Sequence, residues 1–184
     1  MPIEIERRFL VCSDEWQARA ASSRRYRQSY LSKTPDSSVR VRRSEDDATI
    51  TVKGPRNGIA RHEFEYRIPG PHADFMLRSM CVTPIIEKTR HWVEHAGMTW
   101  EIDVYCGQAS GLVLAEVELE RIDQPFALPR WVGAEVTDNL AYRSSGIAQG
   151  LWRGKGVRTR SATARRARAR PETVTRQDRP SPAL

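Results

Sequence analysis

The sequence predicts a mainly β protein with peripheral helices, of the α+β class: an eight-stranded antiparallel β-barrel that forms a charged tunnel. Three observations carry this. Apolar and polar residues alternate with period two through most of residues 3 to 120. Short turns join the alternating segments, which makes neighbouring strands antiparallel. Like charges recur two residues apart within these segments, at Glu4/Glu6, Arg40/Arg42, Glu63/Glu65, Lys88/Arg90, Glu101/Asp103 and Glu116/Glu118.

Taken in order, Ile3, Ile5 and Phe9 face one way while Glu4, Glu6 and Arg8 face the other. Residues 24 to 31 read as a second strand. Val39 and Val41 alternate with Arg40 and Arg42, and after an acidic turn at residues 45 to 47, Ile50 and Val52 alternate with Thr49, Thr51 and Lys53. Gly54-Pro55 and Asn57-Gly58 mark the next reversal. Phe64, Tyr66 and Ile68 then oppose Glu63, Glu65 and Arg67. A short helix is expected over residues 73 to 80, closed off by Pro84. Two strands follow, over residues 85 to 95 and 98 to 105, joined by an Ala96-Gly97 turn. The eighth strand covers residues 112 to 120. Asp138 or Asn139 is placed to cap a helix running to about Trp152. Trp131 and the stretch 133 to 137 read as a structural loop or lid. Trp16, Trp92, Trp100 and Trp152 read as packing residues, against helices or in a homodimer.

A chain of 184 residues can bury one substantial core, and 39% hydrophobic residues is ordinary for a globular domain. The formal charge of +7 would suggest a nucleic-acid or membrane partner if it were spread over the fold. It is not: residues 153–184 hold ten Lys or Arg and two acids, which leaves residues 1–152 near neutrality. The expected organisation is a folded domain over 1–152 and a basic, disordered tail over 153–184, because the tail lacks the apolar side chains that would offset its ordering entropy. Such a tail suits polyanions by counterion release, and equally well a solvated appendage. Three scattered cysteines, Cys12, Cys81 and Cys106, fit a reducing compartment better than a disulfide framework. With no signal-peptide pattern and no apolar run long enough for a membrane span, the expectation is a cytoplasmic protein.

Residues i and i+2 of a strand lie roughly 6–7 Å apart on one face, so each like pair stacks equal charges. The simplest alternative is a solvated sheet face, but such faces usually mix signs, and neighbouring like charges are unfavourable. Six like pairs favour enclosure in a lumen. Acidic pairs call for a divalent cation and basic pairs for a polyanion, which makes a metal-bound polyphosphate the expected ligand.

The stretch Ile3-Glu4-Ile5-Glu6-Arg7-Arg8-Phe9 resembles the N-terminal ExExK signature of the CYTH, or triphosphate tunnel metalloenzyme, superfamily. The resemblance continues through Tyr30-Leu31, Arg40/Arg42, Thr51-Val52-Lys53, residues 61 to 65, Glu87-Lys88-Thr89-Arg90, Glu101-Ile102-Asp103 and Glu116-Val117-Glu118 to Trp131, Glu135 and Tyr142. It covers nearly all of residues 3–150 and leaves the tail outside. It implies hydrolysis of a triphosphate, inorganic tripolyphosphate first, to pyrophosphate and phosphate with Mg²⁺ or Mn²⁺. It implies phosphate binding by Arg8, Arg40, Arg42, Lys53, Lys88 and Arg90, and metal binding, direct or through water, by Glu4, Glu6, Glu63, Glu65, Asp103, Glu116 and Glu118. Arg8 and Tyr30 take the positions that handle the attacking water. Arg8 stands where that signature has lysine, and a guanidinium cannot serve as a general base, so its part is to bind phosphate or orient Tyr30.

Other readings are a class IV-like adenylate cyclase, a thiamine triphosphatase, or a non-catalytic binder of polyphosphate or nucleic acid. Hydrolysis needs no nucleophilic side chain, and the sequence offers neither a convincing triad nor a P-loop; residues 54 to 58 lack the Gly-Lys-Ser/Thr ending. His91 and His95 have zinc-like spacing for a helix, but on a strand they stand about 13 Å apart. His62 reads as a strand-surface or lumen-edge residue.

Overall fold

A computed structural model gives the fold and describes residues 2–154. The strands are β1 (Ile3–Val11), β2 (Ala20–Lys33), β3 (Ser38–Arg43), β4 (Ala48–Asn57), β5 (Ala60–Arg67), β6 (Ile86–His95), β7 (Met98–Tyr105), β8 (Val113–Glu118) and β9 (Val132–Glu135). They form one antiparallel sheet in the order β5-β4-β3-β2-β6-β7-β8-β1-β9, and β5 also pairs with β1, closing the first eight into a ring. Closure leaves no free strand edge within the ring. Beyond Ile5, where β5 ends its pairing, β9 takes up β1 at Phe9 and Val11. The expected loop or lid at 133 to 137 is therefore largely this ninth strand, too short and too glycine-containing to show an alternation.

Local chemistry sets the turns. In the β3–β4 turn the Asp47 amide donates to Ser44 Oγ at 3.1 Å, and Ser44 N donates to Asp47 O at 2.8 Å. The β6–β7 hairpin turns on Ala96 and Gly97, both at positive φ (49° and 78°), with His95 opposite Met98. Helix α1 (Gly70–Ser79) starts earlier than the pattern suggested, because Pro71 suits the first turn. The expected C-terminal helix to Trp152 is instead a 3₁₀ turn over Leu140–Tyr142, capped by Asn139 Oδ1 accepting from the Ala141 amide, and a short α2 (Ser144–Ala148). Gly146 explains the tight fold-back: a Cβ there would lie 1.9 Å from Leu140 O.

Apolar residues cover the outside of the ring, packed against the chain itself. Phe9, Val93, Trp100, Ile102 and Val117 are buried together with Trp16 and Trp131, and Trp100 meets Phe9, Phe126 and Trp131 at centroid distances of 5.5–5.9 Å. Helix α1 lays Ala73 and Leu77 over Val41 and Ala48. A third cluster holds Tyr30, Ile86, Tyr105 and Leu114 with Ile147 and Ala148 of α2. By alternation Ile86, Tyr105 and Leu114 share the inward face of their charged neighbours, so the lumen runs into an apolar plug. No described helix is long and apolar enough to cross a membrane. All three cysteines are free, and Cys12 and Cys106 are exposed rather than buried. The basic tail expected over 153–184 lies, apart from Arg153 and Gly154, outside the described residues.

Candidate active site

The ring encloses a cavity of about 160 Å³ lined by seven carboxylates and seven cations. The cations are Arg8, Arg40, Arg42, Lys53, Arg61, Arg90 and Arg143; the acids are Glu4, Glu6, Glu63, Glu65, Glu101, Glu116 and Glu118. Of the residues singled out from the sequence, all but Lys88 and Asp103 reach this lining. Those two sit directly behind it.

Strand register explains how the like pairs coexist. Across strands, Arg8 stands opposite Glu116, Arg90 opposite Asp103, Lys53 opposite Glu63 and Glu4 opposite Arg61. One member of the Glu4/Glu6, Glu63/Glu65, Lys88/Arg90, Glu101/Asp103 and Glu116/Glu118 pairs thus meets an opposite charge on the next strand, which the sequence pattern did not reveal because register is a tertiary property.

The deep part is a continuous network. Arg8 donates through Nη2 to Glu6 and through Nε to Glu116, both at 2.7 Å, and through Nη1 to Tyr142 O at 3.1 Å. Arg90 grips Asp103 in a fork, Nε to Oδ1 at 2.7 Å and Nη2 to Oδ2 at 2.6 Å, while Nη2 also reaches Glu116 at 2.8 Å and Nη1 reaches Glu101. Lys88 bonds Asp103 beneath it and lies 5.7 Å from the Tyr105 ring centre. Burial and the adjacent Arg90 push the Lys88 ammonium down to about 8. Burial raises the Asp103 carboxyl, but Arg90 and Lys88 outweigh it and hold the group well below the usual range. Burial likewise opposes the charge of Arg8, and Glu116 and Glu6 reverse that and raise its pKa.

A second network joins β1, β4 and β5. Lys53 Nζ lies 2.8 Å from Glu4 and 2.6 Å from Glu63, and Arg61 Nε lies 2.5 Å from the other Glu4 oxygen. On β3, Arg40 and Arg42 share the single carboxylate of Glu65, at 3.5 and 3.0 Å, with Thr51 Oγ1 donating to Glu65 at 2.8 Å. Burial and the neighbouring Arg40 lower the Arg42 pKa, so cationic charge is in excess on this wall.

The opposite excess sits on β1, β7 and β8. Glu6 faces Glu118, and Glu101 faces Glu116, across the ladder. Glu118 forms no ion pair among the described residues; partial desolvation, then repulsion from Glu101, Glu4, Glu6 and Glu63, raise it to about 7. Burial raises Glu6, and Arg8 does not fully offset it. Among the described residues no three His, Cys, Asp or Glu groups already converge as a metal cage. The donor set nevertheless fits a hard divalent ion, since Mg²⁺ is commonly held by one or two carboxylates with water and substrate phosphates completing the shell. Tyr30 is 4% exposed on the cavity wall opposite Arg40, and burial raises its phenol, which therefore stays a proton donor.

Sequence reasoning left Arg61, Arg143 and Glu101 out of the binding sets. Arg61 shares the inward face of Glu63 and Glu65 and could have been found by alternation; Arg143 comes from the short turns after β9 and carries no periodic signal.

The sequence matches the profile of the CYTH domain over residues 2–149. An inorganic triphosphatase of Acetivibrio thermocellus is 41% identical over 146 residues, spanning 79% of this chain and 93% of that protein. One from Nitrosomonas europaea is 34% identical over 150 residues, spanning 79% and 96%. A crystal structure of an inorganic triphosphatase superposes with a TM-score of 0.58 at 30% identity, covering 80% of this chain and 95% of that one.

Proposed function

Because the chain belongs to the CYTH domain family, we propose that it is a triphosphate hydrolase that cleaves inorganic tripolyphosphate to pyrophosphate and phosphate. The observation that carries this is the enclosure of seven carboxylates and seven cations in one cavity. A neutral or purely cationic ligand would leave the Arg40/Arg42 wall unmatched, and an anion alone would leave the Glu6/Glu118/Glu101 wall unmatched. A polyphosphate carrying a divalent ion matches both. Family membership implies divalent-metal dependence, and Mg²⁺ or Mn²⁺ is the ion we propose.

Arg40 and Arg42 take the phosphate chain, with Lys53, Arg8 and Arg90 completing the cationic surface. These donors are fixed by their carboxylate partners before substrate arrives, so little reorganisation accompanies charge movement in the reaction. Lys88 and Asp103 back that surface: Asp103 fixes the plane of the Arg90 guanidinium, and Lys88 balances the buried carboxylate. Glu118, Glu6 and Glu4 are the proposed metal-side acids, with Glu63, Glu65 and Glu116 placing the neighbouring cations. When bound, a divalent ion supplies charge neutralisation and acidifies coordinated water. Tyr30 donates a hydrogen bond and Arg8 holds a phosphate oxygen; neither removes a proton. Phosphoryl transfer with a loose transition state asks mainly for this positioning and charge spreading.

Incubation with tripolyphosphate and Mg²⁺ or Mn²⁺, followed by ³¹P NMR, tests the reading. Pyrophosphate and orthophosphate in equal amounts are expected. Intact tripolyphosphate, or faster turnover of ATP or thiamine triphosphate, would sink it.

A further inference from the structure

Past Ser38, Arg61, Arg143 and Ser145 the lumen adjoins a second cavity of about 480 Å³, set between the ends of β2 and β4 and the residues from Leu140 to Leu151. Its charge differs in kind from that of the lumen. Among the described residues Lys33, Arg56, Arg61 and Arg143 line it, and no aspartate or glutamate does. Arg61 is engaged by Glu4, but among the described residues Arg56 has only a distant partner, Glu6 at 3.7 Å, and its side chain is 12% exposed. Arg56 Nε and Nη1, and Arg143 Nε, are buried and find no acceptor among the described residues. Buried guanidinium donors without acceptors are costly unless an anion completes them.

We propose that this annex is a second, metal-independent anion site that takes free pyrophosphate, so that the product of the lumen reaction restrains the enzyme from a position beside the one that metal-bound tripolyphosphate occupies. The inference rests on the triphosphatase reading above. With no carboxylate among the described lining residues, a divalent ion finds no charged ligand, so the annex suits the bare anion while the lumen suits the metal complex. No aromatic side chain among the described residues lines it, so a nucleobase would find no stacking surface there. Arg61 and Arg143 belong to both cavities, which is how occupancy of one is felt in the other.

The test is calorimetric titration of pyrophosphate in EDTA into the wild-type chain, Arg56→Gln and Lys33→Gln, with product-inhibition kinetics on tripolyphosphate and Mg²⁺ in parallel. Lys33 is half-buried at the last position of β2, so its variant keeps the experiment informative if Arg56→Gln fails to fold. Expected are metal-free binding weakened about tenfold in each variant, as for loss of one charge-assisted hydrogen bond, and loss of the inhibition that excess tripolyphosphate does not relieve. Unchanged affinity in both variants, purely competitive inhibition in the wild type, or orthophosphate binding as tightly as pyrophosphate would each overturn the assignment. The two readings fail separately: turnover of tripolyphosphate with variant-independent binding removes the annex, whereas variant-dependent binding without turnover removes the hydrolase.

Discussion

The deep and outer parts of the lumen use the same residue types to different ends. Around Asp103, charge is settled within the protein: Arg90 forks onto that carboxylate and reaches on to Glu116, which Arg8 also holds. Around Glu118 and the Arg40/Arg42 wall it is not, since Glu118 pairs with no cation among the described residues and two arginines share Glu65. On the proposed reading the Asp103 end is mainly scaffold, with Arg8, Arg90 and Glu6 at its edge, and the outer end is mainly binding surface. Buried charges that complete one another fix the ring's shape, and charges left in excess are available to a ligand.

Substitutions in the two parts should therefore have different readouts. The largest effect is expected from Asp103→Ala, which leaves Arg90 and Lys88 buried without their shared counter-charge. Chemical denaturation should show a loss of about 3–5 kcal/mol. A loss below 1 kcal/mol would mean the deep network is not structural.

Next is Gly146→Ala, whose Cβ would press on the Leu140 carbonyl oxygen. A cost of about 1–3 kcal/mol is expected, together with weakened substrate affinity, because Arg143 and Ser144 at the cavity are carried by the same turn.

The smallest effect has the opposite sign. In the metal-free protein the raised Glu118 pKa means its charged form opposes folding. That penalty is absent below the unfolded value near 4.5, grows as pH rises, and is complete above about 7. Glu118→Gln should therefore stabilise metal-free protein at pH 8 by about 1 kcal/mol after solvent screening, raising Tm by about 2–4 °C, and change little at pH 4. The same variant should bind Mg²⁺ more weakly. With limiting metal, wild-type turnover should rise through pH 7 as Glu118 ionises, and the variant should lose that rise; a variant profile identical to the wild type would remove Glu118 from the metal side.

Most of the ring was legible in the sequence because each strand carries its own period-two record and the turns carry glycine or Asx signals. So was the inward face, since Glu4, Glu6 and Arg8 alternate with Ile5, Arg7 and Phe9. What stayed hidden depends on contacts between distant segments. Cross-strand neutralisation of Arg8 by Glu116 needs the β1–β8 register, 108 residues apart in sequence. The plug of Tyr105, Leu114 and Ile147 needs α2 to fold back on the ring. β9 is four residues long, below the length at which alternation can be read. Arg143 enters the cavity from an irregular segment whose position only the fold determines.

On the proposed reading the unbalanced cations of β3 act on substrate while the fold stands without them. Arg40→Ala leaves Glu65 bonded to Arg42 at 3.0 Å and to Thr51 at 2.8 Å, so its stability should stay close to wild type. For tripolyphosphate with Mg²⁺, kcat/KM measured on the folded variant should fall by about 10²-fold or more. Wild-type kcat/KM in a folded Arg40→Ala protein would take the β3 cations out of the substrate site.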